Sequence, residues 1–224
     1  MTELAAVLFD MDGTLVDTEP YWIKAEYELV EEWGGTWTDA HAHALVGSAL
    51  LTSAAYIRKH GGVDLEPLEL IDWLERRVIE QMAVEIPWRP GAKELLAALT
   101  EQHVPCGLVT MSYRAMAMTV VEQLQAETFA TIVTGDQVTD GKPHPEPYLT
   151  AAQRLGVDVS ACVAIEDSPT GVASAEAAGC IVIAIPHHVP ILPGPDRMLV
   201  ESLAGMTPKS LRALVAGRAA QPDR

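Results

Sequence analysis

Basic residues are scarce in this chain: 15 Lys+Arg stand against 31 Asp+Glu, a formal charge of −16. That shortage argues against a surface that tracks a nucleic-acid backbone or docks on anionic lipid. The acidity is not itself a sign of catalysis, because most carboxylates belong on a solvated surface. Cysteine is scarcer still. Cys106, Cys162 and Cys180 form no CxxC pair and leave an odd count, which fits neither a disulfide scaffold nor a zinc ribbon. Cys106 and Cys162 lie in apolar runs and read as buried filler rather than nucleophiles. A cytoplasmic, reducing compartment is expected. No apolar run approaches the roughly 18 residues of a membrane span. The opening MTELAAVLFDMDG carries Glu3, Asp10 and Asp12 without a basic n-region, so no signal peptide is expected.

What is present is a globular composition, 49% hydrophobic and 21% charged over 224 residues. A chain of that length makes one large domain or two small ones. It buries about 70% of its unfolded surface and needs no metal or disulfide staple. Short, non-alternating, β-branched runs recur at Leu4–Phe9, Pro105–Thr110, Thr131–Thr134, Cys162–Ile165 and Ile181–Ile185. These are the marks of buried parallel strands. Helical patterns lie between them, at Ala92–Gln102, Tyr113–Leu124, Tyr148–Leu155 and Val172–Ala178. The alternation predicts an α/β fold with a parallel sheet.

One segment interrupts it. From about Thr18 to Trp88 no strand is convincing, while Trp22, Ala25, Leu29 and Trp33 follow helical spacing, as do Leu70, Leu74 and Val78. Gly34-Gly35 and Gly61-Gly62 punctuate the helices. The reading is a helical insertion over 18–87, with the α/β part formed by 1–17 and 88–224. The tail from Gly217 is expected to fray.

Four clusters follow predicted strands, at the edge where open parallel sheets bind ligands. Asp10-Met11-Asp12-Gly13-Thr14 ends the first strand. Two carboxylates there are costly unless a cation meets them, and a hard divalent ion such as Mg²⁺ suits oxygen donors. Gly13 permits a sharp turn. A calcium loop is excluded by spacing, whereas an Asx-turn stays open for this motif alone. Thr110-Met111-Ser112 offers a hydroxyl and backbone N–H groups to a phosphate, or an ordinary helix cap. Lys142, held in GKPHPEP, offers a fixed ammonium, or is a solvated loop lysine. Glu166-Asp167-Ser168-Pro169 places two more acids at a strand end. Ser168 reads as an N-cap and Pro169 as the first helical residue.

Taken together and in this order, FDMDGTLVDTEP, VTMS, GKPHPEPY and IEDSPTG resemble the haloacid dehalogenase-like hydrolase superfamily. The likeness is to its sugar-phosphatase and β-phosphoglucomutase branch and spans nearly the whole chain. It implies a Rossmann-like parallel-sheet core with a small helical cap domain. It also implies a Mg²⁺-dependent phosphomonoesterase acting on small phosphorylated metabolites, sugar phosphates above all.

By that resemblance Asp10 would be the nucleophile that forms an aspartyl-phosphate, and Asp12 the general acid and then base. Asp10, the Asp12 backbone carbonyl, Asp167 and Glu166 would hold Mg²⁺, Glu166 directly or through water. Thr110, Lys142 and backbone groups near Met11 and Met111 would bind phosphoryl oxygens, with Ser112 and Thr14 in support. The cap would close over the core and contact the leaving group. Glu19 and Trp22 near its entrance, with the Gly47-Ser48 loop, are the specificity candidates. Trp22 could equally sit in the cap's own core.

The runner-up is a β-phosphoglucomutase. Against it, this chain has Trp22 where the mutase has a histidine, and no arginine near Gly47 for a distal phosphate. A non-catalytic phosphometabolite-binding protein would need a damaged motif set, and all four motifs are intact. Five of the seven histidines read as structural: His41 and His43 point to different helix faces, and His60, His103 and His144 sit near helix ends, while His187-His188 reads as a loop with substrate contact left open. A monomer is the default.

Overall fold

The computed structural model describes residues 3–219. β1 (Ala6–Phe9) is followed by four helices, α1 (Glu19–Glu32), α2 (Asp39–Leu45), α3 (Leu50–Gly61) and α4 (Pro67–Val84). The chain continues through α5 (Ala92–Glu101), β2 (Cys106–Val109), α6 (Arg114–Val121) and β3 (Thr131–Val133). It ends with α7 (Glu146–Leu155), β4 (Cys162–Glu166), α8 (Pro169–Ala178), β5 (Ile181–Ala184), β6 (Arg197–Leu199) and α9 (Pro208–Ala219). The described residues form two compact units, one reaching Val16 and resuming at Trp88, the other spanning Asp17–Pro87.

In the α/β unit all strand pairs are parallel, in the order β3-β2-β1-β4-β5-β6. β1 is entirely buried, as a central parallel strand covered on both faces should be. The chain winds outward from β1 through β2 and β3, then returns to β4 on β1's other side. The switch point therefore lies between β1 and β4, where such sheets open a crevice at their carboxyl ends. On one face Tyr148, Ala151, Val172 and Ala175 from α7 and α8 pack against Leu8 and Ala164.

Five strands fall on the five apolar runs, and the sixth does not. β6 is three residues long and largely exposed, so it carries no apolar-run signal. α9 was also absent from the sequence reading. Its start is marked by reciprocal bonds, Ser210 N–H to Thr207 Oγ1 at 3.2 Å and Thr207 N–H to Ser210 Oγ at 3.0 Å. The expected fraying from Gly217 is corrected to that extent: α9 continues to Ala219, and residues 220–224 lie outside the described residues.

The helical unit contains no named strand. Ala25, Leu29 and Val30 of α1, Ile57 of α3 and Leu70, Leu74 and Val78 of α4 form its interior. Arg77 of α4 donates to Glu28 of α1 at 2.7 and 3.0 Å. α4 opens with a capping box between Glu66 and Glu69. Trp33 departs from the expected buried stripe. It lies just past the end of α1 and is 41% exposed. Gly35 is required by close approach, because a Cβ there would stand 2.1 Å from the Gly61 carbonyl oxygen. Among the described residues no helix is long and apolar enough to cross a membrane.

Candidate active site

β1 delivers the first acid to the switch point. The Asp10 N–H still donates to the Ile165 carbonyl at 3.0 Å, so its backbone keeps register with β4 while the side chain stands at the strand end. The chain then turns tightly. The Met11 carbonyl accepts from Leu15 at 2.9 Å and Val16 at 3.1 Å, and Gly13 N–H donates to the Val16 carbonyl at 2.7 Å. Gly13 has φ +85°, and a Cβ there would lie 2.0 Å from an Asp167 carboxylate oxygen. Glycine is thus required twice over, by its conformation and by Asp167 packed against it.

β4 ends on the second pair of acids. Glu166 is wholly buried. The Ser168 hydroxyl accepts from Gly171 N–H at 3.0 Å and caps α8, with Pro169 as its first residue. A Cβ on Gly171 would lie 2.0 Å from the Glu166 carboxylate. The Thr14 hydroxyl approaches Asp167 Oδ1 at 3.5 Å.

Lys142 is not a solvated loop lysine. Its side chain is 5% exposed. Its Nζ donates to Asp10 Oδ1 at 2.7 Å, Glu166 Oε1 at 2.6 Å and the Val109 carbonyl at 2.8 Å. An ammonium has three protons, and all three are engaged. Burial alone would lower the Lys142 pKa. The charges and hydrogen bonds of Asp10 and Glu166 outweigh it and hold the pKa above the usual lysine range. Its backbone N–H rests on Met111 Sδ at 3.3 Å, so the loop carrying Lys142 leans on the loop after β2.

Oxygen atoms of Asp10, Glu166 and Asp167 all lie within 4.8 Å of one another. Three carboxylates against one ammonium leave two negative charges in excess if every acid ionises. Burial, then repulsion from Asp10 and Glu166, pushes the Asp167 carboxyl well above its usual range. Burial also raises Glu166, with Lys142 opposing. Such a group takes up positive charge, as protons or as a cation. An all-oxygen donor set with that excess fits a hard divalent ion.

Asp12 stands apart from this cluster. Its Oδ2 accepts from the Ser112 hydroxyl at 2.6 Å and from Thr110 Oγ1 at 3.4 Å. Thr110 Oγ1 also accepts the Ser112 N–H at 3.0 Å. The helix-cap alternative for Thr110 and Ser112 does not hold. α6 begins at Arg114 with Tyr113 as its flanking residue, and both hydroxyls turn to Asp12. Cys106 and Cys162 stay thiols: burial pushes Cys106 up to about 12 and Cys162 to about 11.

Asp10, Lys142, Glu166 and Asp167 are thus brought together, with Asp12, Thr110 and Ser112 forming a second set. Met11 is buried, and Met111 supports the Lys142 loop. Glu19, Trp22, Gly47 and Ser48 belong to the helical unit. Glu19 opens α1, Trp22 is half-buried in it, and Gly47, at φ +71°, lies with Ser48 between α2 and α3. Sequence reading missed Tyr148. Its hydroxyl donates to Glu166 Oε1 at 2.6 Å, and its ring lies 5.3 Å from the Lys142 ammonium. Periodicity gave it only a place on a helix.

Known proteins resemble this chain in sequence and in fold. The sequence profile described as haloacid dehalogenase-like hydrolase matches residues 7–185. A phosphorylated carbohydrates phosphatase from Thermotoga maritima is 32% identical over 79% of this chain and 82% of its own length. Hexitol phosphatase B from Escherichia coli K12 is 30% identical over 82% of this chain and 84% of its own. The crystal structure of CbbY from Rhodobacter sphaeroides in complex with phosphate superposes with a TM-score of 0.81 at 27% identity, covering 90% of this chain and 96% of that one.

Proposed function

The chain belongs to the haloacid dehalogenase-like hydrolases and is a phosphatase, and on that premise we propose a Mg²⁺-dependent phosphomonoesterase that cleaves sugar monophosphates through an aspartyl-phosphate. The observation that carries the reading is the convergence of Asp10, Lys142, Glu166 and Asp167, from three distant chain segments, on one strand-end crevice. The relatives' names supply the substrate class: one is a phosphatase of phosphorylated carbohydrates and another of hexitol phosphates.

Asp10 attacks phosphorus in line, and the bond between phosphorus and the ester oxygen breaks. Asp12 gives its proton to the departing alkoxide. Asp12 then takes a proton from water, the resulting hydroxide attacks the acyl phosphate, and Asp10 returns with release of inorganic phosphate. Ser112 and Thr110 aim the Asp12 carboxyl. Lys142 steadies Asp10 before the phosphoryl group arrives, and trades one of its three contacts for a phosphoryl oxygen when it does. Backbone N–H groups at Met11 and Met111 take the remaining oxygens. Asp10, Asp167 and the Asp12 carbonyl would hold Mg²⁺, with Glu166 beside them. When bound, the ion neutralises the three acids and the phosphoryl charge. The helical unit acts as the cap that contacts the leaving group, with Glu19, Trp22 and the Gly47-Ser48 loop selecting it.

A phosphomutase is not favoured over this reading, since the curated relatives described above are phosphatases by name. The test is phosphate release from p-nitrophenyl phosphate and a panel of sugar phosphates, with Mg²⁺ and with EDTA. Metal-dependent release with one preferred monophosphate is expected. Isomerised sugar phosphate with little free phosphate would replace hydrolysis by mutase chemistry.

A further inference from the structure

Tyr148 has no part in the chemistry described above, yet it sits against its centre. It is fully buried and carries the largest of the fully buried side chains. A buried phenol needs an acceptor, and many acceptors would serve. The one it has is Glu166 Oε1, the same atom that accepts Lys142 Nζ at 2.6 Å. Two strong donors therefore fix one oxygen of a wholly buried carboxylate, one charged and one neutral.

Both donors come from a single braced segment. Glu146, at the start of α7, accepts the Thr139 and Asp140 N–H groups at 2.8 and 2.9 Å. The Ser174 hydroxyl of α8 donates to the His144 carbonyl at 2.6 Å. The loop bearing Lys142 and the helical turn bearing Tyr148 are thereby tied to each other and to the neighbouring helix. The phenol supplies direction where the ammonium supplies charge. Tyr148 on Oε1, with the Ser168 hydroxyl donating to Oε2 at 3.3 Å, keeps Glu166 from swinging to take Lys142 by both oxygens, so the lysine stays shared with Asp10 at 2.7 Å.

We propose that Tyr148 is a positioning residue for the acidic centre, holding Glu166 so that Lys142 remains divided between Glu166 and Asp10. The inference rests on the phosphatase reading for its kinetic readout, but not for its binding readout. Outer partners of metal-site residues are commonly worth 10–100-fold in affinity or activity. Tyr148→Phe keeps the ring and removes only the hydroxyl. Mg²⁺ binding by calorimetry should weaken about 10-fold. Turnover of a sugar monophosphate at saturating Mg²⁺ should fall about 10-fold in kcat, with KM nearly unchanged.

In the Glu166→Ala background the same change should cost less than about twofold, because with the carboxylate gone a residue acting through Glu166 has nothing left to position. Unaltered Mg²⁺ affinity in Tyr148→Phe overturns the proposal. So does an equal loss in both backgrounds, which would mean packing alone. If the wild type releases no phosphate, the phosphatase reading fails while the calorimetry still decides the role of Tyr148. Should Tyr148→Phe not fold, NMR of the wild type answers instead. A slowly exchanging Tyr148 hydroxyl proton that is lost in Glu166→Ala supports the proposal, and its absence from the wild type refutes it.

Discussion

Both units of this protein bury glutamate, and Glu166 of one and Glu26 of the other are kept in opposite ways. Glu166, in the α/β unit, is met by the Lys142 ammonium at 2.6 Å and by a phenol. Glu26, on α1 of the helical unit, is 5% exposed and is met by the neutral indole of Trp37 at 3.2 Å. Burial pushes Glu26 up to about 8. The Trp37 hydrogen bond opposes this, and the charge of Glu19 adds to it. A cation partner opposes the burial of an acid with a full charge, whereas a neutral indole opposes it only weakly, and burial then keeps that acid protonated. On the proposed mechanism the first arrangement serves chemistry, while the second fills a core. The same residue type therefore means different things in the two units, and the partner tells which.

The sharpest way to break this comparison is to remove the anion that Lys142 holds. Asp10→Asn keeps the shape and can still accept from Lys142, but it offers no carboxylate nucleophile. Turnover should fall by about 10⁴-fold or more, while the circular dichroism spectrum stays that of the wild type. Activity near wild type would move the nucleophile elsewhere. Next in size is Gly171→Ala. The new methyl must enter the space of the Glu166 carboxylate, 2.0 Å away, and Glu166 cannot yield without leaving Lys142 and Tyr148. A loss of about 10³-fold in kcat is expected from the disturbed centre. Unchanged kinetics would mean that the carboxylate relaxes freely and that its position is not critical.

Glu26→Gln probes the other arrangement, and its sign follows from linkage. Below about pH 4.5, Glu26 is protonated in both folded and unfolded chains and costs nothing. Between about 4.5 and about 8 the unfolded chain gives up this proton while the folded one keeps it, so stability falls as pH rises. Above about 8 the loss is complete, on the order of 5 kcal/mol. Glutamine accepts from the Trp37 indole without titrating. The variant and the wild type should therefore melt together at pH 4.5, with the variant melting higher at pH 8.5. Parallel melting curves across that range would show that Glu26 is not held protonated.

Little in the sequence distinguishes the two glutamates, except where they stand. Glu166 closes an apolar run, so its placement at a strand end was readable, and so was that of Asp10. Glu26 sits beside Ala25 on a helix, where alternation of polar and apolar residues gave no reason to bury it. Lys142 could be read only as one of several signals taken together. Its burial depends on α7 folding back over β1 and β2, which no local pattern encodes. Tyr148 was hidden for the same reason: an aromatic at the head of a helix looks like core until the acid opposite it is known. The parallel sheet was legible because its strands are short, apolar and bounded. β6 was not, because Arg197 and two exposed residues carry no run. Ser112 was read as a support for phosphate, and its bond to Asp12 spans a separation of 100 residues.

That bond gives the smallest and most selective effect. The Ser112 hydroxyl donates to Asp12 Oδ2 at 2.6 Å, while Thr110 stands farther off at 3.4 Å. If Asp12 protonates the leaving alkoxide, then aiming its carboxyl matters only when the leaving group needs a proton. A sugar hydroxyl needs one, and p-nitrophenolate leaves without it. Ser112→Ala should lower kcat for a sugar monophosphate by about 10-fold and for p-nitrophenyl phosphate by about twofold or less. Ser112→Thr, which restores a hydroxyl, should recover most of the loss. An equal drop with both substrates would assign Ser112 to the phosphoryl group that the two substrates share. It would then serve the centre built around Lys142 rather than the acid beside it.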